Sequence, residues 1–88
     1  MSWELEFDRR AIRELKKLSH NAKQEILGYL QSRIATEENP RRFGKELKAN
    51  LSGLWRYRVG DYRIICKIQD EKLVVLVIAV GHRRDVYG

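Results

Sequence analysis

Apolar and polar residues alternate through Trp3-Glu4-Leu5-Glu6-Phe7-Asp8, the period-two pattern of a strand with one buried face. Asp8 stands where a helix N-cap is needed, and Ala11, Ile12, Leu15 and Leu18 follow at helical spacing. Arg9, Arg10, Arg13, Lys16 and Lys17 fall largely outside that stripe. Ser19-His20-Asn21 interrupts it, which places His20 in an interhelical turn. A second stripe runs through Ala22, Ile26, Leu27, Leu30 and Ile34, so the short link predicts an antiparallel helical hairpin. Over residues 36–52 the periodicity fades. Asn39-Pro40 and Gly44 mark loop there, with room for a helical turn over residues 42–47.

Alternation returns at Leu54-Trp55-Arg56-Tyr57-Arg58-Val59 and again at Tyr62-Arg63-Ile64-Ile65-Cys66. Gly60-Asp61 between them predicts a hairpin with a two-residue turn. That register sets Val59 opposite Tyr62, Tyr57 opposite Ile64 and Trp55 opposite Cys66 on a packed face. The other face then carries Arg58 directly opposite Arg63, and Arg56 opposite Ile65. Gln69-Asp70-Glu71-Lys72 reads as a polar turn. The β-branched apolar run over residues 73–80 predicts a central strand buried on both faces, ended by Gly81. The expected architecture is α+β: an N-terminal strand, a two-helix antiparallel hairpin and a three-stranded antiparallel meander, in one domain over residues 1–88.

Charge sharpens this picture. The chain of 88 residues has a formal net charge of +6, but residues 1–40 balance seven Lys/Arg with seven Asp/Glu. Residues 41–63 carry seven Lys/Arg against Glu46 and Asp61, a net +5. An excess concentrated in the connector and hairpin points to an anionic partner such as nucleic acid. Like charges opposite one another on a sheet cost a few tenths to about 1 kcal/mol. A solvated face tolerates that, and a polyanion seated between the charges removes it.

Other classes recede. The lone Cys66 permits no internal disulfide and suits a reducing compartment, where it serves as a small buried residue. No apolar run is long enough for a membrane helix, and the N-terminus lacks the pattern of a secretory signal, so a cytoplasmic location is expected. The two histidines, the cysteine and the scattered carboxylates have no zinc-like spacing, so no metal and no cofactor are expected.

The element order, together with LWRYRVGDYRIIC in the hairpin, VGHRRDVYG at the end, Phe7-Asp8 and Leu15-Lys16-Lys17-Leu18, resembles the RelE/ParE toxin superfamily, and its RelE branch most closely. The resemblance spans essentially the whole chain. It implies a small cytoplasmic ribonuclease of a type II toxin–antitoxin system that cuts messenger RNA in the ribosomal A site. It implies as partners a RelB-like antitoxin, the 70S ribosome and messenger RNA. Operator DNA would be reached only through the antitoxin, and no membrane is involved.

The family's active groups map onto Arg56 and Arg58 on one hairpin strand, Arg63 on the next, Arg83 after the last strand, and Tyr87 near the terminus. The hairpin pair is lysine in the type member and arginine here. Arginine binds phosphate well but is never deprotonated, so a general base must come from elsewhere. The residues allow a metal-free attack of the 2′-OH on the adjacent phosphate. Arg58 and Arg63 would grip the scissile phosphate and Arg56 a neighbouring one. Arg83 would serve the leaving oxygen, and Tyr87 would stack on a base or orient the nucleophile. Lys45, Lys48, His82 and Arg84 would add RNA contacts, as would Arg41 and Arg42, unless that loop is simply solvated. His82 is also placed to move a proton or to stand exposed at a strand end, and Tyr87 to plug the sheet. Two other functions stay open: a ParE-like poison of DNA gyrase, and a catalytically inactive RNA- or protein-binding member.

Overall fold

The computed structural model describes residues 1–82. Strand β1 (Glu4–Phe7) leads into helix α1 (Arg9–Lys16) and helix α2 (His20–Tyr29). Four further strands follow: β2 (Lys45–Glu46), β3 (Trp55–Val59), β4 (Tyr62–Gln69) and β5 (Val74–His82). They form one sheet in the order β1-β5-β4-β3-β2, with β1 parallel to β5 and the remaining neighbours antiparallel. The architecture is the expected α+β, enlarged by β2.

Each helix starts where a short polar side chain meets an orphan N–H. Asp8 Oδ2 accepts from the Arg10 amide at 3.2 Å, while the Asp8 amide donates to the Val77 carbonyl at 2.8 Å. One residue thus closes β1 against β5 and opens α1. Ser19 Oγ accepts from the Ala22 amide at 3.2 Å, so α2 begins at His20. His20 is therefore helical and does not lie in the interhelical turn. Past Tyr29 the helix widens into a π-turn (Leu30–Ile34), closed by the Ala35 amide on the Leu30 carbonyl at 2.9 Å. This turn keeps both Leu30 and Ile34 in the core.

The helices cover one face of the sheet. Ile26, Leu30 and Ile34 pack with Tyr57, Ile64 and Val77, all fully buried. A second, smaller cluster lies on the opposite face, where Ile65 and Ala79 are covered by Leu47, Leu54 and Ile78. Residues 54 and 47 therefore shelter part of the face that bears the arginines.

Three local expectations are corrected. Residues 42–47 form no helical turn; a 3-10 turn (Pro40–Arg42) precedes strand β2. Long-range bonds impose this: the Trp55 indole N–H donates to the Phe43 carbonyl and the Tyr57 hydroxyl to the Pro40 carbonyl, each at 2.7 Å. Arg41 adds a two-pronged ion pair with Asp70, both bonds 2.9 Å. Leu73 is not the first residue of the last strand, because its φ of 54° places it in the turn. Gly81 does not end that strand either; it pairs with Arg63, and the strand runs to His82.

Burial pushes the Cys66 thiol and the Tyr57 phenol well above their ordinary values of 9.0 and 10.0. The folded chain keeps these protons at a pH where the unfolded chain loses them. Stability is therefore unaffected by these two groups below about pH 9 and falls as pH rises above it. Each group contributes a slope of up to about 1.4 kcal/mol per pH unit. Chemical denaturation at pH 8 and pH 10.5 should show that loss, and Cys66→Ala should remove the part that begins first.

Candidate nucleic-acid interface

The hairpin pairs residue for residue as the two-residue turn requires: Val59 with Tyr62, Arg58 with Arg63, Tyr57 with Ile64, Arg56 with Ile65 and Trp55 with Cys66. Directly opposite residues share a face, with Cβ atoms about 4.5–5.5 Å apart. Tyr57 and Val59 are buried on the helix side, so Arg56, Arg58 and Arg63 project from the other side. Strand β2 brings Lys45 opposite Arg56 on that same face. On the far side, Gly81 stands opposite Arg63 and offers no side chain. Two rows result, Lys45–Arg56–Ile65–Ala79 and Arg58–Arg63–Gly81. Four cations from three strands, Lys45, Arg56, Arg58 and Arg63, share this patch, with the side-chain-free Gly81 at its corner.

The patch is electrostatically unbalanced. Arg58 is exposed, and neither it nor Arg56 forms an ion pair among the described residues. Arg56 is half-buried, and its Nε is shielded from solvent with no hydrogen-bond partner among the described residues. Burial, then Arg63 and Arg58, hold its pKa below the ordinary arginine value. The cationic form is thus disfavoured by its own neighbours, although arginine remains charged at neutral pH. An anion at this place would relieve the repulsion and accept paired N–H bonds from planar forks.

The remaining sequence-derived candidates are spread out. Lys48 is exposed at the start of a 3-10 turn (Ala49–Leu51), outside the two rows. Strand alternation turns His82 to the face opposite Arg63, where its ring meets Tyr62 edge-on with centroids 6.0 Å apart. Arg41 is engaged by Asp70, and Arg42 lies over the Phe43 ring at 4.8 Å. Arg83, Arg84 and Tyr87 lie outside the described residues. Among the described residues, no three His, Cys, Asp or Glu side chains are grouped to hold a metal ion, and no helix is long and apolar enough to cross a membrane.

Sequence reasoning missed an aromatic wall at the edge of the patch. Tyr29 of α2 and Phe43 meet edge to face at 6.4 Å, and Arg33 lies over both rings at 5.6 and 5.8 Å. Its members come from a helix and a loop, so no local spacing announces them.

A family model described as the ParE toxin of type II toxin–antitoxin systems, parDE, matches residues 5–87. The chain is 32% identical to the toxin RelG of Mycobacterium tuberculosis, over 99% of this chain and 98% of that one. It is 33% identical to the messenger-RNA interferase toxin RelE of Escherichia coli, over all of this chain and 93% of that one. Its fold is similar to that in the RelBE2 toxin–antitoxin complex of M. tuberculosis, with a TM-score of 0.86 and 29% identity over 97% of this chain and 95% of the other. Isolated E. coli RelE matches with a TM-score of 0.71 and 26% identity, over 91% and 83% of the two chains.

Proposed function

From the premise that the chain belongs to the ParE toxin family and is a RelE-like toxin of a toxin–antitoxin system, we propose that it is a ribosome-dependent messenger-RNA endonuclease. The observation that carries this reading is the row Arg58–Arg63, two like charges held face to face on paired strands beside Arg56 and Lys45.

The chemistry follows from the substrate. RNA supplies its own nucleophile: the 2′-hydroxyl gives its proton to water, the 2′-oxygen bonds to the adjacent phosphorus, the bond from phosphorus to the 5′-oxygen breaks, and that oxygen takes up a proton, leaving a 2′,3′-cyclic phosphate and a 5′-hydroxyl. Negative charge grows on the non-bridging oxygens, and the Arg58 and Arg63 forks bind it where it grows. Arg56 holds a flanking phosphate. Arg83, the next residue after His82, serves the leaving oxygen, and Tyr87 orients the nucleophile or stacks on a base. Fixed guanidinium charge takes the role that a metal ion plays in other nucleases, so the reaction is metal-free. Arginine supplies no general base. Alignment of the message by the ribosome offsets that lack, since near-attack geometry alone is worth several kcal/mol.

A cationic face of this kind is silenced by an acidic partner. The RelBE complexes among the structural relatives support a RelB-like antitoxin as that partner.

The test is to incubate purified toxin with one message, free or loaded on translating ribosomes. Cuts confined to the loaded message and ending in 2′,3′-cyclic phosphate are expected. Intact message accompanied by gyrase-dependent DNA breaks would replace this reading with the gyrase one. Binding to unloaded single-stranded RNA should weaken with salt, log affinity falling against log salt by about 0.7 per phosphate neutralised. Arg58→Ala should lower that slope by roughly 0.7.

A further inference from the structure

Beside the arginine rows lies a groove of about 230 Å³, lined by Tyr29, Phe43, Gly44, Lys45, Arg56 and Arg58. We propose that it is a base-stacking subsite: the nucleotide next to the scissile linkage seats its base against Tyr29 and Phe43 and its phosphate on Lys45 and Arg58. The inference rests on the RNA-cleaving reading and adds to it a place where a base is held.

Three observations carry it. The groove is continuous with the phosphate patch, because Arg56 and Arg58 line both. A backbone passing Arg58 on the way to Arg63 therefore runs along the groove mouth. Its two walls differ in kind, aromatic on the helix side and cationic on the sheet side, which matches the two parts of a nucleotide. Gly44, which also lines the groove, is pressed against β3, since a Cβ there would collide with the Arg56 carbonyl and stand 2.9 Å from the Tyr57 ring, so the groove is anchored to the strand that carries Arg56 and Arg58. The volume is slightly below the range of drug-sized pockets, suiting one planar ring system.

The aromatic wall is also held rigid. Phe43 is tied through its carbonyl to the Trp55 indole at 2.7 Å, and its ring is fixed by Tyr29 and by the guanidinium groups of Arg33 and Arg42. A surface of this kind, set before the ligand arrives, loses little entropy on binding. Stacking of this kind is tolerant of sequence, because every base has a π-face.

The experiment uses an uncleavable 2′-O-methyl RNA pentanucleotide and matched strands in which a single base is absent. Wild type should bind the complete strand at least about fivefold more tightly than one of the abasic strands. Phe43→Leu keeps the apolar bulk and the backbone bond to Trp55 but removes the ring. It should erase that preference while leaving affinity for the abasic strand unchanged. In parallel, the backbone amide signals of Gly44 and Lys45 should shift with the complete strand and not with the abasic one. Equal preference in wild type and Phe43→Leu would overturn the subsite. If signals of Arg58 and Arg63 still moved, the phosphate-binding reading would survive alone. Silence at Arg58 and Arg63 would remove the RNA reading itself.

Discussion

Arg63→Ala should lower the rate of message cleavage on ribosomes by about 10²- to 10³-fold, the usual cost of one preorganised donor to a developing oxyanion. Cells expressing this variant without an antitoxin should grow where wild type arrests them. The size of the effect follows from the position of the side chain. Arg63 sits on β4, between β3 and β5, with Arg58 on one side and the side-chain-free Gly81 on the other. Arg58 is the only other cation among the described residues in that row, and it already has its own place on the phosphate, so nothing replaces Arg63. Arg58→Ala should also slow cleavage, yet stability should move the other way. The exposed Arg58 forms no ion pair among the described residues and faces a like charge, so its removal should raise stability by a few tenths to about 1 kcal/mol. Denaturant midpoints measured beside cleavage rates will show whether activity and stability diverge at this position. A fall in both would contradict a charge pair kept for binding.

Gly44→Ala should have the largest effect on the fold itself. Gly44 has φ of 79°, in the left-handed region that costs other residues about 1–3 kcal/mol. The added methyl would also collide with the Arg56 carbonyl and press on the Trp55 indole N–H and the Tyr57 ring. Backbone must move to relieve this, and the backbone in question is the β2–β3 pairing that aligns Lys45 with Arg56. A total loss of about 3 kcal/mol is expected, against roughly 4–13 kcal/mol for a domain of this length. The melting temperature should fall by roughly 12–24 °C. Gly53→Ala is the control, since Gly53 also has positive φ, 93°, but open space where its Cβ would stand. It should cost only the backbone part. Equal losses at the two glycines would contradict the steric account.

The contrast between the hairpin and the connector explains what was legible in the sequence. The hairpin register could be read because a two-residue turn fixes it and period-two alternation leaves one packed face. The arginine row follows from that register without any tertiary information. Asp8 as a cap and the two helical stripes were equally local. Strand β2 was not legible, because two polar residues, Lys45 and Glu46, carry no pattern. Bonds from Trp55 to Phe43 and from Tyr57 to Pro40 bring the connector to β3, and each spans more than ten residues. Gly81 reads as a terminator in an apolar run, while the fold keeps it within β5 as the pairing partner of Arg63. The wall of Tyr29 and Phe43 is assembled from a helix and a loop, so only the folded chain reveals it.

The grouping of cations from separate strands about one phosphate is open to a double-mutant cycle. Single-turnover cleavage of ribosome-bound message would be measured for wild type, Arg58→Ala, Arg63→Ala and the double variant. If both guanidinium groups act on one phosphate, the double variant should be much less impaired than the product of the single losses. Strictly multiplicative losses would mean that the two arginines act on separate anions, and the shared phosphate site would be wrong.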